Sequence, residues 1–258
     1  MAVGVVLLSA VDPLAGYAAE RTIDIKHLGE GQSIVRVDAQ AKYLLLPVEE
    51  SSPESKLYMI VDNDVVRTFN VRLAVNKVDY FVPVDLSGYA DKHISFNFQL
   101  APESALCWKE MKLSDQFDSS NREKFRPAYH FSPAWGWMND PNGLVYAEGV
   151  YHLYFQHNPF DVQWENMSWG HAVSRDLLHW EQTQKMTVPG MWECPLLIEV
   201  PVEGTDKKEW VFWSADGYYQ IGSFDGYTFQ TKTERKMAYF SRRAYAAQNF
   251  VNVGERVL

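Results

Sequence analysis

Two isolated carboxylates with unusual neighbours are the residues best suited to chemistry in this chain. Residues 137–143 read WMNDPNG and set Asp140 between the amide Asn139 and a proline, just before an Asn-Gly turn signal. Residues 192–195 read WECP and set Glu193 between an indole and a thiol. Cleavage of a sugar linkage needs one carboxylate as nucleophile and another as proton donor. The pair predicts such a site, although the first motif alone is also typical of a plain turn and Glu193 alone of a solvated acid.

Other motifs around these acids make the pattern specific. They are HFSP at residues 130–133, YHLYFQHNP at 151–159, WGHA at 169–172 and YAAQ at 245–248. Together with WMNDPNG and WECP they resemble glycoside hydrolase family 32, the β-fructosidases, which include invertases, levanases and inulinases. The resemblance covers roughly residues 125–258, about half of the chain.

The resemblance implies a site and a mechanism. Asp140 would be the nucleophile that forms a covalent fructosyl-enzyme intermediate, and Glu193 would protonate the leaving oxygen and then activate water. Retention of configuration requires the two carboxyl groups to lie about 5–5.5 Å apart. Asn139, Gln156 and Trp164 would line the sugar pocket, since amides pair with hydroxyls and an indole offers an apolar wall. Neither a metal nor an organic cofactor is needed, and we interpret the histidines of this half as structural.

The same half of the chain predicts blades of a β-propeller. Strand signals come in groups of four. The first group lies at residues 144–146, 151–155, 169–173 and 179–180, the second at 195–200, 210–214, 218–223 and 227–230, and residues 244–250 would open a third. Repeated four-stranded units are typical of propellers, and the resemblance implies five of them.

Residues 21–115 predict a separate accessory domain. Short strand signals bounded by polar turns lie at residues 33–37, 42–48, 58–61, 65–71, 80–84 and 94–98. This spacing favours a small antiparallel β-sandwich that packs on the catalytic part or contacts glycan. Residues 104–126 read as a linker with a short helical turn at 108–111. The predicted fold is therefore all-β: a small antiparallel β-sandwich followed by a partial, incomplete five-bladed β-propeller at residues 125–258.

Two absences separate this sequence from the family that it resembles. Only eleven residues, 181–191, separate Trp180 from Trp192. They reach at most about 36 Å, too short a connection to hold a blade of about 40 residues. The sequence also contains no Arg-Asp-Pro, a family motif whose Asp grips fructose hydroxyls.

With the sequence ending at Leu258, these absences predict an internally deleted and truncated relative whose activity is in question. The first alternative to a β-fructosidase is therefore a catalytically inactive remnant or a fructan-binding protein. A second is a different propeller glycosidase, such as an arabinan-degrading one.

Composition restricts the partners. A net charge of −9 argues against nucleic acid and anionic membranes, so the expected partner is a neutral fructan or sucrose-type carbohydrate. No stretch reaches the length of about 18 apolar residues that a membrane span needs. Residues 1–20 have the outline of a secretory signal peptide, although no Lys or Arg precedes Arg21. This outline predicts a periplasmic or secreted protein. The two cysteines, Cys107 and Cys194, are too few for a disulfide framework, which favours two free buried thiols.

Overall fold

The computed structural model describes residues 22–37, 40–120, 125–147, 149–183, 193–225, 229–240 and 245–250. These residues form four antiparallel β-sheets and very little helix, which confirms the all-β prediction. The predicted signal peptide at residues 1–20 lies outside the described residues, and so does Trp192. No helix in the described ranges has the length and apolar character that a membrane crossing would require.

Eight strands build two sheets, which we call the amino-terminal sheets. The strands are β1 Ile23–Gly29, β2 Gln32–Val37, β3 Tyr43–Val48, β4 Ser55–Val61, β5 Asp64–Val71, β6 Tyr80–Asp85, β7 Ile94–Gln99 and β8 Lys112–Ser114. A 3₁₀ helix, Ser87–Tyr89, and a one-turn helix, α1 Cys107–Glu110, lie among them. The five-stranded sheet has the order β1-β2-β7-β4-β5, and the three-stranded sheet has the order β6-β3-β8.

A single buried apolar cluster joins the two amino-terminal sheets. Leu57 and Phe96 of the larger sheet and Leu44 and Leu46 of the smaller sheet are fully buried in it. Burial alternates along β4 and β7, as expected for strands that place one face on a core and the other towards solvent. The alternating apolar residues seen in the sequence are therefore the residues that hold these sheets together.

The amino-terminal sheets contain two strands that the sequence analysis did not identify, β1 and β8. β1 pairs with β2 at the edge of the larger sheet. β8 pairs with β3 and begins directly after the core residue Met111. The predicted linker at residues 104–126 was therefore too long, because Cys107 and Met111 anchor its first part in the core. The short helical turn expected there is α1.

Ten further strands build the carboxy-terminal sheets. The first sheet contains β9 Trp137–Pro141, β10 Val145–Ala147, β11 Val150–Asn158, β12 Ser168–Ser174 and β13 Trp180–Gln182. The second contains β14 Leu196–Pro201, β15 Lys208–Trp213, β16 Tyr218–Phe224, β17 Phe229–Thr231 and β18 Lys236–Met237. Their main paths, β10-β11-β12-β13 and β14-β15-β16-β17, are the two four-stranded units that the sequence predicts; β9 also pairs with β11, and β18 with β16.

The prediction of a strand at residues 244–250 is wrong. The structure describes residues 245–250 of this range. These residues form no strand. The backbone N–H of Ala246 instead donates to the carbonyl of Ala215, in the turn between β15 and β16. A strand needs a neighbouring edge over several residues, and a single hydrogen bond to a turn does not provide one.

The two carboxy-terminal sheets pack against each other through aromatic side chains. Tyr154 and Trp169 of the first sheet form one cluster with Phe212 and Phe229 of the second. The Trp169 ring stacks on Tyr154 with a centroid distance of 4.4 Å and meets Phe212 edge-on at 5.7 Å. Tyr154 lies almost parallel to the ring of His171 at 4.2 Å. Four-stranded sheets in contact through their faces are the arrangement of neighbouring propeller blades.

Candidate active site

The pairing of β9 with β11 brings the first acidic motif to Gln156. Pro141 lies opposite Phe155 and Met138 lies opposite His157, and the register shifts between these two pairs. Such an irregularity re-aims the side chains within it. There the Nδ2 of Asn139 donates to the Oε1 of Gln156 at 2.6 Å.

The Asn-Gly turn holds the end of β9 against the sheet. The backbone N–H of Asn142 donates to the carbonyl of Tyr154 at 2.8 Å, and its Oδ1 accepts a hydrogen bond from the indole of Trp169. Gly143 has a φ of +71°, and a Cβ there would lie 2.8 Å from the Trp169 ring. Only glycine meets both demands without strain. The turn therefore fixes the chain directly after Asp140.

The backbone of Glu193 is held by the turn between β15 and β16. The N–H of Ala215 donates to the carbonyl of Glu193 at 3.0 Å, while the carbonyl of Ala215 accepts from Ala246 at 2.8 Å. The turn thus ties the WECP segment to the YAAQ segment. The hydroxyl of Tyr245 is hydrogen-bonded to the Glu193 carboxylate, which raises the pKa of Tyr245 to about 12.

Cys194 joins the two acidic motifs. Its Sγ accepts a hydrogen bond from the Nε2 of Gln156 at 3.1 Å and lies 3.7 Å from the Oδ2 of Asp140. Burial raises the pKa of the Cys194 thiol to about 11, and the negative charges of Asp140 and Glu193 add to this effect. Both carboxylates are therefore close enough to act on one thiol.

The backbone of Cys194 has a φ of +35°, which is uncommon for a residue with a side chain and marks a locally strained segment. Cys107 and Cys194 are both free thiols. Only Cys107 is buried, so the expectation of a second buried thiol was wrong. Cys194 is half-buried because it lies beside the exposed Asp140 rather than in a core.

The structure brings three of the predicted site residues into one hydrogen-bonded group: Asn139 and Gln156, which bond directly, and Asp140, which is reached through Cys194. Glu193 adjoins this group because it precedes Cys194 in the chain. Trp164 is on the loop between β11 and β12, and 49% of its surface is exposed.

Sequence reasoning missed two residues of the site. Cys194 was treated only as a thiol, although its place directly after Glu193 was a signal that it would share the surroundings of that acid. Tyr245 was noted only as part of the YAAQ motif. Its hydrogen bond to Glu193 depends on the turn at Ala215, which no local pattern reveals.

The site is polar and accessible. Asp140 is exposed and Glu193 is half-buried. The Oδ1 of Asn139 is buried and accepts no hydrogen bond from any residue that the structure describes. Buried polar atoms are nearly always paired, so this carbonyl is suited to accept a hydrogen bond from a ligand hydroxyl. The arrangement suits a neutral ligand that carries many hydroxyl groups.

His152 of β11 and His171 of β12 form a second polar contact between these strands. Their rings stack, with 3.0 Å between the Nδ1 of His152 and the Nε2 of His171, and Thr183 Oγ1 lies 2.8 Å from the Nδ1 of His171. Burial lowers the pKa of both histidines, that of His171 to about 4. In the described part of the chain, no three His, Cys, Asp or Glu side chains converge as metal ligands would.

Comparison with known proteins bears on these motifs directly. Residues 130–190 match the glycosyl hydrolases family 32 N-terminal domain. The resemblance to glycoside hydrolase family 32 is confirmed. The family 32 match includes WMNDPNG and the whole of β9 to β13. Residues 29–129 match a domain of unknown function, DUF4980, which covers most of the amino-terminal sheets.

Relatives of known name are similar over part of this chain. The extracellular exo-inulinase of Aspergillus awamori is 40% identical over 142 residues, which are 55% of this chain and 24% of that protein. The levanase of Bacillus subtilis (strain 168) is 56% identical over 69 residues, which are 26% of this chain and 10% of that protein. This chain thus spans a quarter or less of these two relatives.

A solved structure of glycoside hydrolase family 32 from Bifidobacterium adolescentis aligns with 79% of this chain and 39% of its own chain, with 19% sequence identity and a TM-score of 0.36.

Proposed function

We propose that this chain carries the central part of a retaining β-fructosidase site, with Asp140 as nucleophile and Glu193 as acid and base. The proposed substrate is a fructan or a sucrose-type sugar, since the relatives are named exo-inulinase and levanase. Asn139, Gln156 and Trp164 are the proposed sugar-binding residues.

One observation carries this proposal: the Oδ2 of Asp140 lies 3.7 Å from the thiol of Cys194, the residue directly after Glu193, and the charges of both acids help to raise the pKa of Cys194 and of Tyr245. The acids are 53 residues apart in the sequence, so only the fold can bring them to the same two groups. Two carboxylates at one polar, accessible site are what hydrolysis of a glycosidic bond requires.

The proposed reaction has two steps. In the first, an oxygen of Asp140 attacks the anomeric carbon of the fructosyl unit while Glu193 gives its proton to the leaving glycosidic oxygen. In the second, Glu193 takes a proton from water, and the resulting hydroxide displaces Asp140 from the anomeric carbon. Asn139, whose amide bonds to Gln156 and which directly precedes Asp140, is the proposed partner of a sugar hydroxyl.

The proposal includes the surrounding architecture. Residues 21–115 form an accessory β-sandwich, and residues 125–258 form part of a five-bladed propeller from which one blade is missing between Trp180 and Trp192. Export to the periplasm or the medium agrees with the word extracellular in the name of the Aspergillus relative.

A second function, fructan binding without turnover, is favoured by one feature. The sequence has no Arg-Asp-Pro, so the carboxylate that this motif supplies is lacking. Loss of one group that stabilises the transition state commonly lowers turnover about 10²-fold or more, and binding of the ground state can persist.

Release of fructose from sucrose, inulin and levan tests the first proposal. We expect D140N and E193Q each to lower release at least about 10³-fold. The matched controls D206N and E203Q alter exposed acids on the loop between β14 and β15 and should leave release unchanged. A fructoside whose leaving group needs no proton should still give a burst of that group with E193Q but not with D140N.

Fructan binding, measured by calorimetry on the unaltered chain, separates the two functions. Binding without fructose release supports the second function. Neither binding nor release of any of these sugars contradicts both.

A further inference from the structure

The loop between β11 and β12, residues 159–167, carries Trp164 and will be called the Trp164 loop. It begins directly after Asn158, which is two residues beyond Gln156 of the candidate site. Any group that fixes the shape of this loop also fixes where the indole of Trp164 lies relative to Gln156.

One buried amide closes the Trp164 loop on itself. The Oδ1 of Asn158 accepts hydrogen bonds from the N–H of Phe160 at 3.0 Å and from the Nδ2 of Asn166 at 3.2 Å. The Nδ2 of Asn158 donates to the carbonyl of Gln163 at 2.8 Å. Asn158 is fully buried. The two ends of the loop are therefore held together at one point.

The amino-terminal sheets hold the first end of the loop by an apolar contact. Phe160 is 1% exposed and belongs to the same buried cluster as the core of those sheets. Its ring stacks on Phe69 of β5 with a centroid distance of 4.3 Å, and the guanidinium of Arg67 lies 4.6 Å from the centroid of the Phe160 ring. A side chain of the Trp164 loop is thus part of another unit's core.

An ion-pair network lies beside this aromatic contact. Arg72, which directly follows β5, pairs with Glu54 at 3.1 Å and with Asp161 of the loop. Asp161 is 2% exposed. A buried carboxylate without a partner is costly, so Asp161 holds the loop against Arg72. Burial raises the pKa of Glu54, and Glu165 of the loop, which is hydrogen-bonded to it, adds to that effect.

The second end of the loop is bonded to the backbone of β5. The N–H of Asn70 donates to the Oδ1 of Asn166 at 2.7 Å, and the carbonyl of Asn70 accepts from the Nδ2 of Asn166 at 2.9 Å. The Nδ2 of Asn70 also donates to Glu165. This two-way pairing imitates one rung of a β-sheet and leaves little freedom in position.

We propose that the amino-terminal sheets are a positioning part of the sugar site, in which β5 and Arg72 fix the Trp164 loop. The contacts lie on both sides of Trp164: Phe160 and Asp161 before it, and Glu165 and Asn166 after it. The part of the inference that concerns sugar rests on the proposed function. Arg72 is accordingly a positioning residue, acting on a fructosyl ligand only through the loop that carries Trp164.

The test compares variants of the whole chain by two measurements. The first is hydrogen exchange of the backbone amides of residues 160–167. The second is the affinity for short fructo-oligosaccharides, with KM and kcat where the chain turns over. W164A defines the effect of losing the indole. R36M is the matched control, because it removes an exposed ion pair with Asp24 in the same sheets.

We expect R72M to speed exchange in residues 160–167 at least tenfold and to raise the dissociation constant or KM about tenfold, towards the value of W164A. Turnover at saturation should change less than threefold. R72K keeps the positive charge, so its loop exchange rate and its affinity should lie between those of wild type and R72M. Should R72M leave Asp161 unpaired and prevent folding, the double variant R72M with D161N removes both charges and serves in its place.

Three results would overturn the inference. In the first, R72M matches R36M in loop exchange and affinity. In the second, affinity, turnover and thermal stability fall together and R72K does not restore them. Arg72 would then act only on the general packing of the fold and not on the position of the loop. In the third, loop exchange rises no more than exchange elsewhere in the chain. An unaltered chain that neither binds nor cleaves fructo-oligosaccharides would contradict the proposed function, and loop exchange in R72M would still decide whether the amino-terminal sheets fix the loop.

Discussion

Replacement of Gln156 by methionine tests whether the hydrogen-bonded group around Asp140 is built as described. Gln156 is 1% exposed and bonds to Asn139 through its Oε1 and to Cys194 through its Nε2. Methionine is close to glutamine in size, so the change removes these two bonds with little effect on packing.

The expected cost follows from what is left unpaired. The Oδ1 of Asn139 already has no partner among the described residues, and Q156M also takes away the partner of its Nδ2. An unpaired buried donor costs about 1–3 kcal/mol, and the bond to a thiol adds little. Because Asn139 is half-buried and can turn partly towards water, we expect Q156M to lower the free energy of unfolding by about 2 kcal/mol.

For a chain of this size, about 2 kcal/mol corresponds to a decrease in melting temperature of about 4–8 °C. Affinity for fructose units should also fall, because Asn139 is no longer held beside Asp140. Calorimetry of unfolding and of fructan binding measures both effects. The control is Q230M, which changes an exposed glutamine on β17 and should stay within about 0.5 kcal/mol of wild type.

Equal melting temperatures of Q156M and Q230M would contradict the hydrogen-bonded group around Asn139 and Gln156. If the stability of Q156M falls as expected but its fructan binding equals that of wild type, Asn139 has no part in the sugar site.

Other predictions concern stability and reactivity. Burial lowers the pKa of His171 from its ordinary value of 6.5 to about 4. Between these two pH values the unfolded chain therefore binds more protons than the folded chain. The free energy of unfolding should accordingly fall as the pH drops from about 6.5 to 4. After allowance for solvent, the loss is about 2 kcal/mol, and urea unfolding at several pH values should show it in wild type but not in H171N. G170A should destabilise by about 1–3 kcal/mol or more, because its Cβ would lie 2.4 Å from the ring of Phe155. G88A, with open space around the added Cβ, is the control in thermal unfolding. Burial raises the pKa of Cys107 to about 12, so at pH 8 a thiol reagent should modify it only after unfolding, and fast modification of the native chain would contradict its burial.

Local patterns were enough to predict most strands. The alternation of apolar residues in β2 and β4 and the apolar run of β3 identify buried strands directly. β1 was missed because polar and charged residues occupy much of this edge strand. β8 was missed because three residues carry too little periodicity, and its pairing with β3 is set by residues about 70 positions apart.

The site was predictable only in part, for the same reason. WMNDPNG and WECP are contiguous motifs, so Asp140 and Glu193 could be chosen from the sequence. The contact between Asp140 and Cys194 depends on how the end of β9 approaches the chain before β14. Nothing local to Phe160 indicates that its ring belongs to a core formed largely by residues 35–111.

The stack of rings that runs from His171 through Tyr154 to Trp169 gives the molecule an optical reporter. Trp169 stacks on Tyr154 within the first carboxy-terminal sheet and meets Phe212 of the second sheet edge-on. The electronic transitions of Trp169 couple to those of Phe212 only while the two sheets stay in contact. Near-ultraviolet circular dichroism of this chain therefore monitors the junction of the two sheets, and it can reveal their separation under conditions that leave the backbone strands intact.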